Sequence, residues 1–286
     1  FSEINLVFME LRAYVNMNHK NVIRIHDFFI TEMDNETNCV FNIVMEYCDG
    51  GSLEELISNY VQQKKQIPHQ RIAKILTDLF EGLDYLHSHH IMHRDMKPQN
   101  CFIIKDSGEL KIGDLGLAIH ALGVDREQKR EIAGTLAYMS PEMRNSLDYD
   151  NSVDIWACGV ICFELITLKS FNFKQMMMQG NFYLEEMLSV ITNPDYGLFV
   201  EICKNCLNVD PHRRPSPKFC LNWLDPSRTA ELASTAESVS PSELEASSDR
   251  FEQQHDIPTV SLQNSGTRSF SGRSFNSASI RSTDHS

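Results

Sequence analysis

The residues best suited to do chemistry lie in two short segments near the middle of the chain. Residues 93–100 read HRDMKPQN and residues 111–116 read KIGDLG. The patterns H-R-D-x-K-x-x-N and D-[FL]-G fix many residue types at set spacing, so chance is a poor explanation for both. Together they supply carboxylates, an amide and a lysine, which can position a hydroxyl, hold magnesium and stabilise a phosphoryl group in transit. The two segments therefore predict phosphoryl-transfer chemistry.

These segments resemble the catalytic loop and the metal-binding turn of eukaryotic protein kinases, and residues 1–224 resemble that family's domain. The resemblance implies that Asp95 is the catalytic base and that Lys97 lies near the transferring phosphoryl group. It also implies that Asn100 and Asp114 hold Mg²⁺ and that ATP is the phosphoryl donor. Lys97 favours Ser/Thr over Tyr as the acceptor, because tyrosine kinases usually carry a different loop there.

Further positions are assigned to the nucleotide by the same resemblance. Glu10 lies nine residues before the segment HKNVI, where the family places the glutamate that pairs with the phosphate-clamping lysine. The alternative for Glu10 is one more solvated helix residue. Met45 would lie at the back of the adenine pocket, and the backbones of Glu46 and Cys48 would bond the adenine edge. Phe102 would lie under the adenine ring.

Supporting positions follow from residues 134–142 (GTLAYMSPE), which resemble the substrate-binding end of the family's activation segment. Thr135 would hydrogen-bond near the catalytic base, another mark of Ser/Thr kinases. Glu142 would form a buried ion pair with Arg214. Asp154 would accept hydrogen bonds from the catalytic-loop backbone. These last three residues are expected to support the structure rather than to take part in the chemistry.

The activation segment departs from the pattern of many kinases. Many of them need a phosphate three residues before the Gly-Thr pair, where it binds the arginine of His-Arg-Asp and orders the segment. Here that position is Glu131, and no Ser, Thr or Tyr lies between Gly116 and Gly134. One hypothesis is that Glu131 gives Arg94 a constitutive negative partner. The alternative is that Glu131 is solvated within the charged run 126–131.

The elements that must position these residues are predicted from apolar periodicity and turn residues. The predicted helices cover residues 1–19, 52–60, 68–88 and 153–167, and the predicted strands cover residues 23–30, 40–47, 101–104 and 110–112. The expected fold class is α+β and protein kinase-like. It combines a partial small lobe, with one helix and about two strands, and a mainly helical large lobe. The resemblance implies that the first three strands of the small lobe are missing.

Composition shifts near residue 225. From Ser227 to the end there are no lysines, few large apolar residues and sixteen serines. Such a segment cannot bury enough apolar surface to offset the entropy lost on ordering. The prediction is a kinase domain over residues 1–224, followed by a disordered Ser-rich tail over residues 225–286.

Charge and cysteine usage exclude other classes. A formal net charge of −13 disfavours nucleic-acid binding. The sequence contains no run of eighteen apolar residues, so no membrane-spanning helix is predicted. The eight cysteines lack the spacing of a disulfide framework, which predicts reduced thiols and an intracellular, cytoplasmic location. Cys203 and Cys206 are read as an ordinary pair on a helix, because a zinc site needs four ligands. The sequence leaves the oligomeric state open.

The leading functional prediction is an ATP- and magnesium-dependent protein serine/threonine kinase. The alternative is a non-catalytic pseudokinase or scaffold, because the chain holds neither a Gly-rich loop nor a lysine clamp for Glu10. This 286-residue piece alone is expected to have little or no activity. Residues 43–51, 93–100 and 140–142 are similar to the NIMA-related (Nek) kinases, although kinases upstream of mitogen-activated kinases share several of these features. Gln99 stands where basic-directed kinases carry a glutamate, so no arginine preference close to the target is expected.

Overall fold

A computed structural model describes residues 14–32, 39–115, 119–120, 134–145 and 147–225. Glu10, Glu131 and the predicted tail beyond residue 225 lie outside the described residues, as does most of the first predicted helix. That helix was predicted to reach residue 19. The described chain is helical only to Val15, and the Met17 backbone N–H closes a tight turn onto the Tyr14 carbonyl at 3.1 Å.

A two-stranded antiparallel hairpin begins the sheet structure. Strand β1, Ile25–Glu32, pairs with strand β2, Cys39–Met45. The first strand begins two residues later than predicted, because the preceding backbone pairs elsewhere. The Ile23 N–H donates to the Ile112 carbonyl at 2.8 Å, so this segment is joined to a later strand instead of the hairpin.

Helix α1, Leu53–Gln63, follows a short connection and starts at its predicted cap. The Ser52 hydroxyl accepts from the Glu55 N–H at 3.2 Å, and the Glu55 carboxylate accepts from the Ser52 N–H at 3.3 Å. This reciprocal capping box satisfies two backbone donors and fixes where the helix begins. The helix runs three residues beyond its predicted end at Tyr60 and buries Leu53 and Leu56.

The remainder of the described chain is mainly helical. Its longer helices are α2 (His69–Ser88), α4 (Ser152–Thr167), α5 (Phe173–Gln179), α6 (Asn181–Leu188), α7 (Gly197–Cys206) and α8 (Pro217–Leu224). Its short elements are β3 (Ile91–Met92), β4 (Cys101–Ile103), β5 (Leu110–Ile112), β6 (Ile119–His120) and the four-residue helix α3 (Pro141–Arg144). Strand β3 pairs with β6 and β4 pairs with β5, both antiparallel.

Helix α4 is the centre of the helical core. Fourteen of its sixteen residues are buried, and only Ser152 and Glu164 are not. A helix that is apolar on every side is stable only when other elements surround it. Asp154 in its first turn is 1 % exposed, so this helix carries a carboxylate into the core.

The predicted pair Cys203 and Cys206 lies on helix α7, where both thiols are buried. The Cys206 sulfur is 4.0 Å from that of Cys220 on α8. Within the described ranges, no group of three or more His, Cys, Asp or Glu could hold a metal. Both cysteines thus lie on a helix, as the sequence predicted. No helix among the described elements is long and apolar enough to cross a membrane.

Candidate active site

Asp95 is the centre of a polar cluster that contains all four predicted catalytic residues. Its Oδ1 accepts from the Thr135 N–H at 2.7 Å and from the Thr135 hydroxyl at 2.8 Å. Its Oδ2 accepts from Lys97 Nζ at 2.6 Å and from Asn100 Nδ2 at 3.1 Å. Lys97 also donates to the Thr135 hydroxyl at 2.8 Å. Asp95 is 7 % exposed, so its charge is held in place by bonded donors rather than by solvent.

His93 links this cluster to the turn that carries Asp114. Its Nδ1 accepts from the Asp95 N–H at 3.2 Å, and its Nε2 lies 2.9 Å from the Gly113 carbonyl. Only the tautomer with the proton on Nε2 satisfies both contacts. The ring is fully buried, and its hydrogen bonds fix two loops relative to each other.

The turn beside the cluster places Asn100 and Asp114 within one hydrogen-bonded unit. The Gly113 N–H donates to the Asn100 carbonyl at 2.8 Å. Asn100 Nδ2 donates both to the Asp95 carbonyl at 2.9 Å and to its carboxylate. Its Oδ1 is therefore left as the oxygen that can bind a cation. Asp114 is exposed, so its carboxylate is accessible from solvent.

Two residues of the site have left-handed backbone conformations that side chains disfavour. Arg94 has φ 65° and Asp114 has φ 58°. Each such residue costs of order 1–3 kcal/mol, and it persists only when the surrounding contacts impose it. Gly134 at φ 98° is a third case, and there a Cβ would lie 2.4 Å from the Arg94 carbonyl oxygen. Glycine therefore lets Thr135 approach Asp95.

Arg94 is buried beside the cluster, and its Nη1 donates to the Tyr149 hydroxyl at 3.3 Å. The predicted partner of Arg94 was Glu131, which lies outside the described residues. The pairing of Arg94 with Glu131 stays a prediction. The structure instead shows Arg94 in contact with the buried Tyr149, which the sequence motifs did not reveal.

Asp154 holds the backbone of the loop that carries Asp95. Its Oδ2 accepts from the His93 N–H and its Oδ1 from the Arg94 N–H, both at 2.9 Å. His87 Nε2 lies 2.9 Å from the same Oδ2. Burial alone would raise the pKa of Asp154, but the hydrogen bond and charge of His87 and the contacts of His93 lower it below its usual value. The predicted contact with the loop backbone is confirmed.

Glu142 and Arg214 form the predicted buried ion pair. Nη1 and Nη2 of Arg214 donate to the two carboxylate oxygens of Glu142 at 2.6 and 2.9 Å. Arg214 also donates to the carbonyls of Asn208 and Ser152 at 2.9 and 3.0 Å. Its guanidinium carbon lies 5.1 Å from the centre of the Trp156 ring. The pair therefore joins the end of the activation segment to the helical core.

The predicted adenine-binding segment connects β2 to α1. The Glu46 N–H donates to the Arg24 carbonyl at 3.0 Å, and Glu46 Oε1 accepts from the Arg24 N–H at 2.7 Å. Lys111 Nζ lies 3.1 Å from the same Oε1, a contact that the sequence did not reveal. Met45 ends β2 and is 47 % exposed. The Glu46 side chain thus holds the segment, in addition to its predicted backbone role.

The same segment lies along strand β4, which carries Phe102. The Gly50 N–H donates to the Ile103 carbonyl at 2.8 Å, and the Ile103 N–H donates to the Gly51 carbonyl at 2.9 Å. Phe102 is half-buried between two buried neighbours, and a Cβ at Gly113 would lie 2.8 Å from its ring. The strand that carries Phe102 is therefore paired with this segment, and the Phe102 ring lies against Gly113, just before Asp114.

Cys48 is the half-buried thiol of this segment. Burial, and then the nearby Glu46 carboxylate, raise the pKa of Cys48 to about 11. The thiol is therefore largely protonated at neutral pH.

A cavity of about 730 Å³ opens beside the cluster rather than within it. Helix α1, the end of α4 and the catalytic loop form its walls. Its polar lining includes Glu54, Glu55, Tyr138, Glu164 and Lys169. The Tyr138 hydroxyl donates to Glu164 at 2.9 Å, and Gln99 Nε2 donates to Glu54 at 2.6 Å. The polar cluster around Asp95, not this cavity, holds the groups suited to chemistry.

Comparison with known proteins agrees with this geometry. A family model described as the protein kinase domain matches residues 2–223. The chain belongs to the protein kinase family. The hairpin beside a mainly helical lobe is accordingly a kinase fold, with the α+β class that the sequence predicted.

Several curated protein kinases are similar to this kinase domain. Serine/threonine-protein kinase Nek2 of Homo sapiens is 29 % identical over 233 residues, which cover 75 % of this chain and 48 % of Nek2. Aurora/IPL1-related protein kinase 2 of Caenorhabditis elegans is 32 % identical over 160 residues, or 56 % of this chain and 48 % of that protein. The interferon-induced, double-stranded RNA-activated protein kinase of Rattus norvegicus is 32 % identical over 237 residues, which cover 75 % of this chain and 43 % of that protein. The chain spans about half the length of the curated relatives it matches.

Proposed function

We propose that this kinase transfers the γ-phosphoryl group of ATP to serine or threonine hydroxyls of protein substrates. The observation that carries the proposal is the cluster of Asp95, Lys97, Asn100 and Thr135. A carboxylate that is fixed by four donors, one of them a lysine ammonium, suits a reaction in which positioning and charge stabilisation do most of the work.

Asp95 is the proposed base that orients the substrate hydroxyl and accepts its proton. A carboxylate offers about four acceptor directions, and all are occupied by the donors around Asp95. The substrate hydroxyl must therefore displace one donor. Lys97 is the best candidate, because its side chain is 19 % exposed and can move toward the transferring phosphoryl group. Thr135 then keeps Oδ1 in place while Oδ2 takes the hydroxyl proton.

Asn100 and Asp114 are the proposed magnesium ligands. Carboxylate and amide oxygens are the donors that Mg²⁺ prefers, and the Asn100 hydrogen bonds leave its Oδ1 for such a ligand. Bound magnesium would neutralise charge on the ATP phosphates. The turn before Asp114 is held by the hydrogen bonds of Gly113 to the Asn100 carbonyl and to His93.

The segment from Met45 to Cys48, together with Phe102, is the proposed adenine site. Gly50 and Gly51, which follow this segment, are hydrogen-bonded to Ile103 of β4, and this pairing with the strand that carries Phe102 supports the assignment. Glu10 as the partner of a phosphate-clamping lysine, and Glu131 as the partner of Arg94, remain part of the proposal without a described contact.

Protein substrates are proposed rather than nucleic acids, in view of the net charge of −13. The domain is proposed to end near residue 224, where helix α8 ends and one residue after the family match stops. A cytoplasmic location stays a prediction. The NIMA-related assignment does too, since identities of 29 % to Nek2 and 32 % to an Aurora-related kinase do not favour either subfamily.

Phosphoryl transfer from radiolabelled ATP to serine, threonine and tyrosine peptides tests the proposal in the full-length protein. Asp95→Asn should reduce turnover about 10³-fold, because an amide cannot accept the proton of the substrate hydroxyl. The matched control is Asp106→Asn in the exposed β4–β5 turn, which should transfer at the normal rate. No transfer by wild type above background would favour the non-catalytic alternative, and equal transfer by wild type and Asp95→Asn would contradict the role of Asp95. A preference for tyrosine would contradict the proposed specificity.

A further inference from the structure

We propose that Lys111 is a positioning residue that couples the adenine-binding segment to the metal-binding turn. The inference rests on the proposed function, since it concerns how two parts of the ATP site act together. Lys111 begins the segment KIGDLG, but the sequence predicted no catalytic or binding role for it and no contact with Glu46.

The Lys111 side chain reaches the adenine-binding segment directly. Its Nζ lies 3.1 Å from Glu46 Oε1, and the same oxygen accepts from the Arg24 N–H at 2.7 Å. The Lys111 side chain is 13 % exposed and that of Glu46 is 24 % exposed. A pair this far out of solvent is less screened than a surface ion pair, and the second bond to Arg24 limits the freedom of the carboxylate.

The Lys111 backbone reaches the metal-binding turn. It is the middle residue of β5, between the buried Leu110 and Ile112, and it stands opposite Phe102 on β4. Alternation along a strand puts its side chain on the face away from the core. Two residues further along, the Gly113 carbonyl and N–H are held by His93 and Asn100.

These contacts form one continuous connection. An ion pair joins Glu46 to Lys111, the backbone of β5 continues to Gly113, and hydrogen bonds of His93 join Gly113 to the loop that carries Asp95. A shift of the adenine-binding segment is therefore transmitted to the turn that would hold magnesium. Adenine binding and magnesium binding should each strengthen the other, and the coupling should shrink when the side-chain link is removed.

The first test measures nucleotide binding without requiring turnover. Cys48 lies in the adenine-binding segment and is half-buried, whereas the other cysteines whose side chains are described are fully buried. Iodoacetamide labelling at alkaline pH, read by mass spectrometry of the Cys48 peptide, should be blocked by ATP. The ATP concentration for half-protection is measured with magnesium and with EDTA, and the ratio of the two values reports the coupling.

Lys111→Met should raise the half-protection concentration of magnesium-ATP about 5-fold, the loss expected for one charge-assisted contact. It should also reduce the ratio of the ATP half-protection concentration in EDTA to that in magnesium. Lys111→Arg should restore most of both. Glu46→Gln keeps an acceptor for Arg24 and should reproduce the Lys111→Met effect, with the double variant no worse than either. Lys105→Met, an exposed position in the same hairpin, is the matched control and should behave as wild type.

The outcomes separate this inference from the proposed function. If ATP does not protect Cys48 in wild type, the adenine-site assignment fails. If wild type is protected but Lys111→Met shows the same half-protection concentrations and the same ratio, the coupling role is wrong while the proposed function stands. A variant whose melting temperature falls while both binding values stay normal would likewise overturn the positioning role and show a structural one.

Discussion

Two ion pairs of this kinase use the same kinds of charged group but differ in how completely they are enclosed. In the proposed active site Lys97 contacts Asp95, and the lysine side chain is 19 % exposed. In the supporting pair Arg214 meets Glu142, and the arginine side chain is not exposed at all. The first pair has one direct lysine contact, whereas the second is bidentate.

The difference shows what each pair can do. Lysine is a compact charge on a flexible chain, so Lys97 can leave one oxygen of Asp95 when a substrate arrives. Arg214 is held by carbonyls and by the Trp156 ring as well as by Glu142, so it cannot move without leaving a buried charge unpaired. Residue type, exposure and the number of contacts together separate the proposed acting pair from the supporting pair.

The largest effect on stability is expected from opening the supporting pair. Arg214→Met should lower the free energy of unfolding by about 3–5 kcal/mol, because Glu142 is left as an uncompensated buried charge. Urea denaturation measures this directly. The neighbouring Arg213 has a side chain that is 77 % exposed, so Arg213→Met is the matched control and should stay close to wild type. Similar stability of the two variants would show that the pair of Glu142 and Arg214 does not stabilise the fold.

A somewhat smaller effect is expected from the carboxylate below the catalytic loop. Asp154→Asn should lower the free energy of unfolding by roughly 3 kcal/mol, because the amide cannot accept all the bonds from His93, Arg94 and His87. The pKa of Asp154 is lowered by folding, so its stabilisation is present above the ordinary value near 3.8 and is lost as pH falls through the folded value. The stability gap between wild type and Asp154→Asn should therefore narrow below pH 3.8.

Urea titrations at neutral and strongly acidic pH check this sign. Asp106→Asn, which changes an exposed carboxylate, should show no comparable gap at either pH. A gap for Asp154→Asn that widens in acid would mean that the buried carboxyl is protonated in the folded protein.

The smallest of these effects is expected from loosening the catalytic cluster without removing its base. Thr135→Ala removes the hydroxyl bond to Asp95 but keeps the backbone bond, so turnover should fall about 10- to 100-fold through poorer positioning. Thr135→Ser keeps the hydroxyl and should retain most of the rate. Steady-state kinetics of both variants, with unfolding measured in parallel, separates positioning from folding. Equal rates for the alanine and serine variants would remove Thr135 from the cluster's function.

The sequence predicted the active cluster better than its surroundings, for physical reasons. Asp95, Lys97 and Asn100 lie within one motif, where spacing along the chain fixes spacing in space. Lys111 and Glu46 lie on different elements, and a residue that is known only for its backbone bonds gives no sign of its side-chain partner. The first strand was placed two residues early because the pairing of Ile23 with Ile112 is a long-range contact.

Short elements were also missed. Strands β3 and β6 have two residues each and helix α3 has four, so none of them contains a full period of apolar spacing. The support at Glu142 and Arg214 was predicted only because both residues occur in family motifs. Glu10, Glu131 and the Ser-rich tail stay predictions, since they lie outside the described residues.

The most direct test of the contrast between acting and supporting pairs is to measure turnover and unfolding together in Asp95→Asn and Arg214→Met. We expect Asp95→Asn to lose about 10³-fold in turnover. Its free energy of unfolding should fall less than that of Arg214→Met, because Lys97 and Thr135 are partly exposed and water can replace the lost acceptor. We expect Arg214→Met to lose several kcal/mol of stability, with turnover falling only as folded protein is lost. Turnover that survives in Asp95→Asn, or an Arg214→Met protein that is inactive but fully stable, would contradict the division of roles.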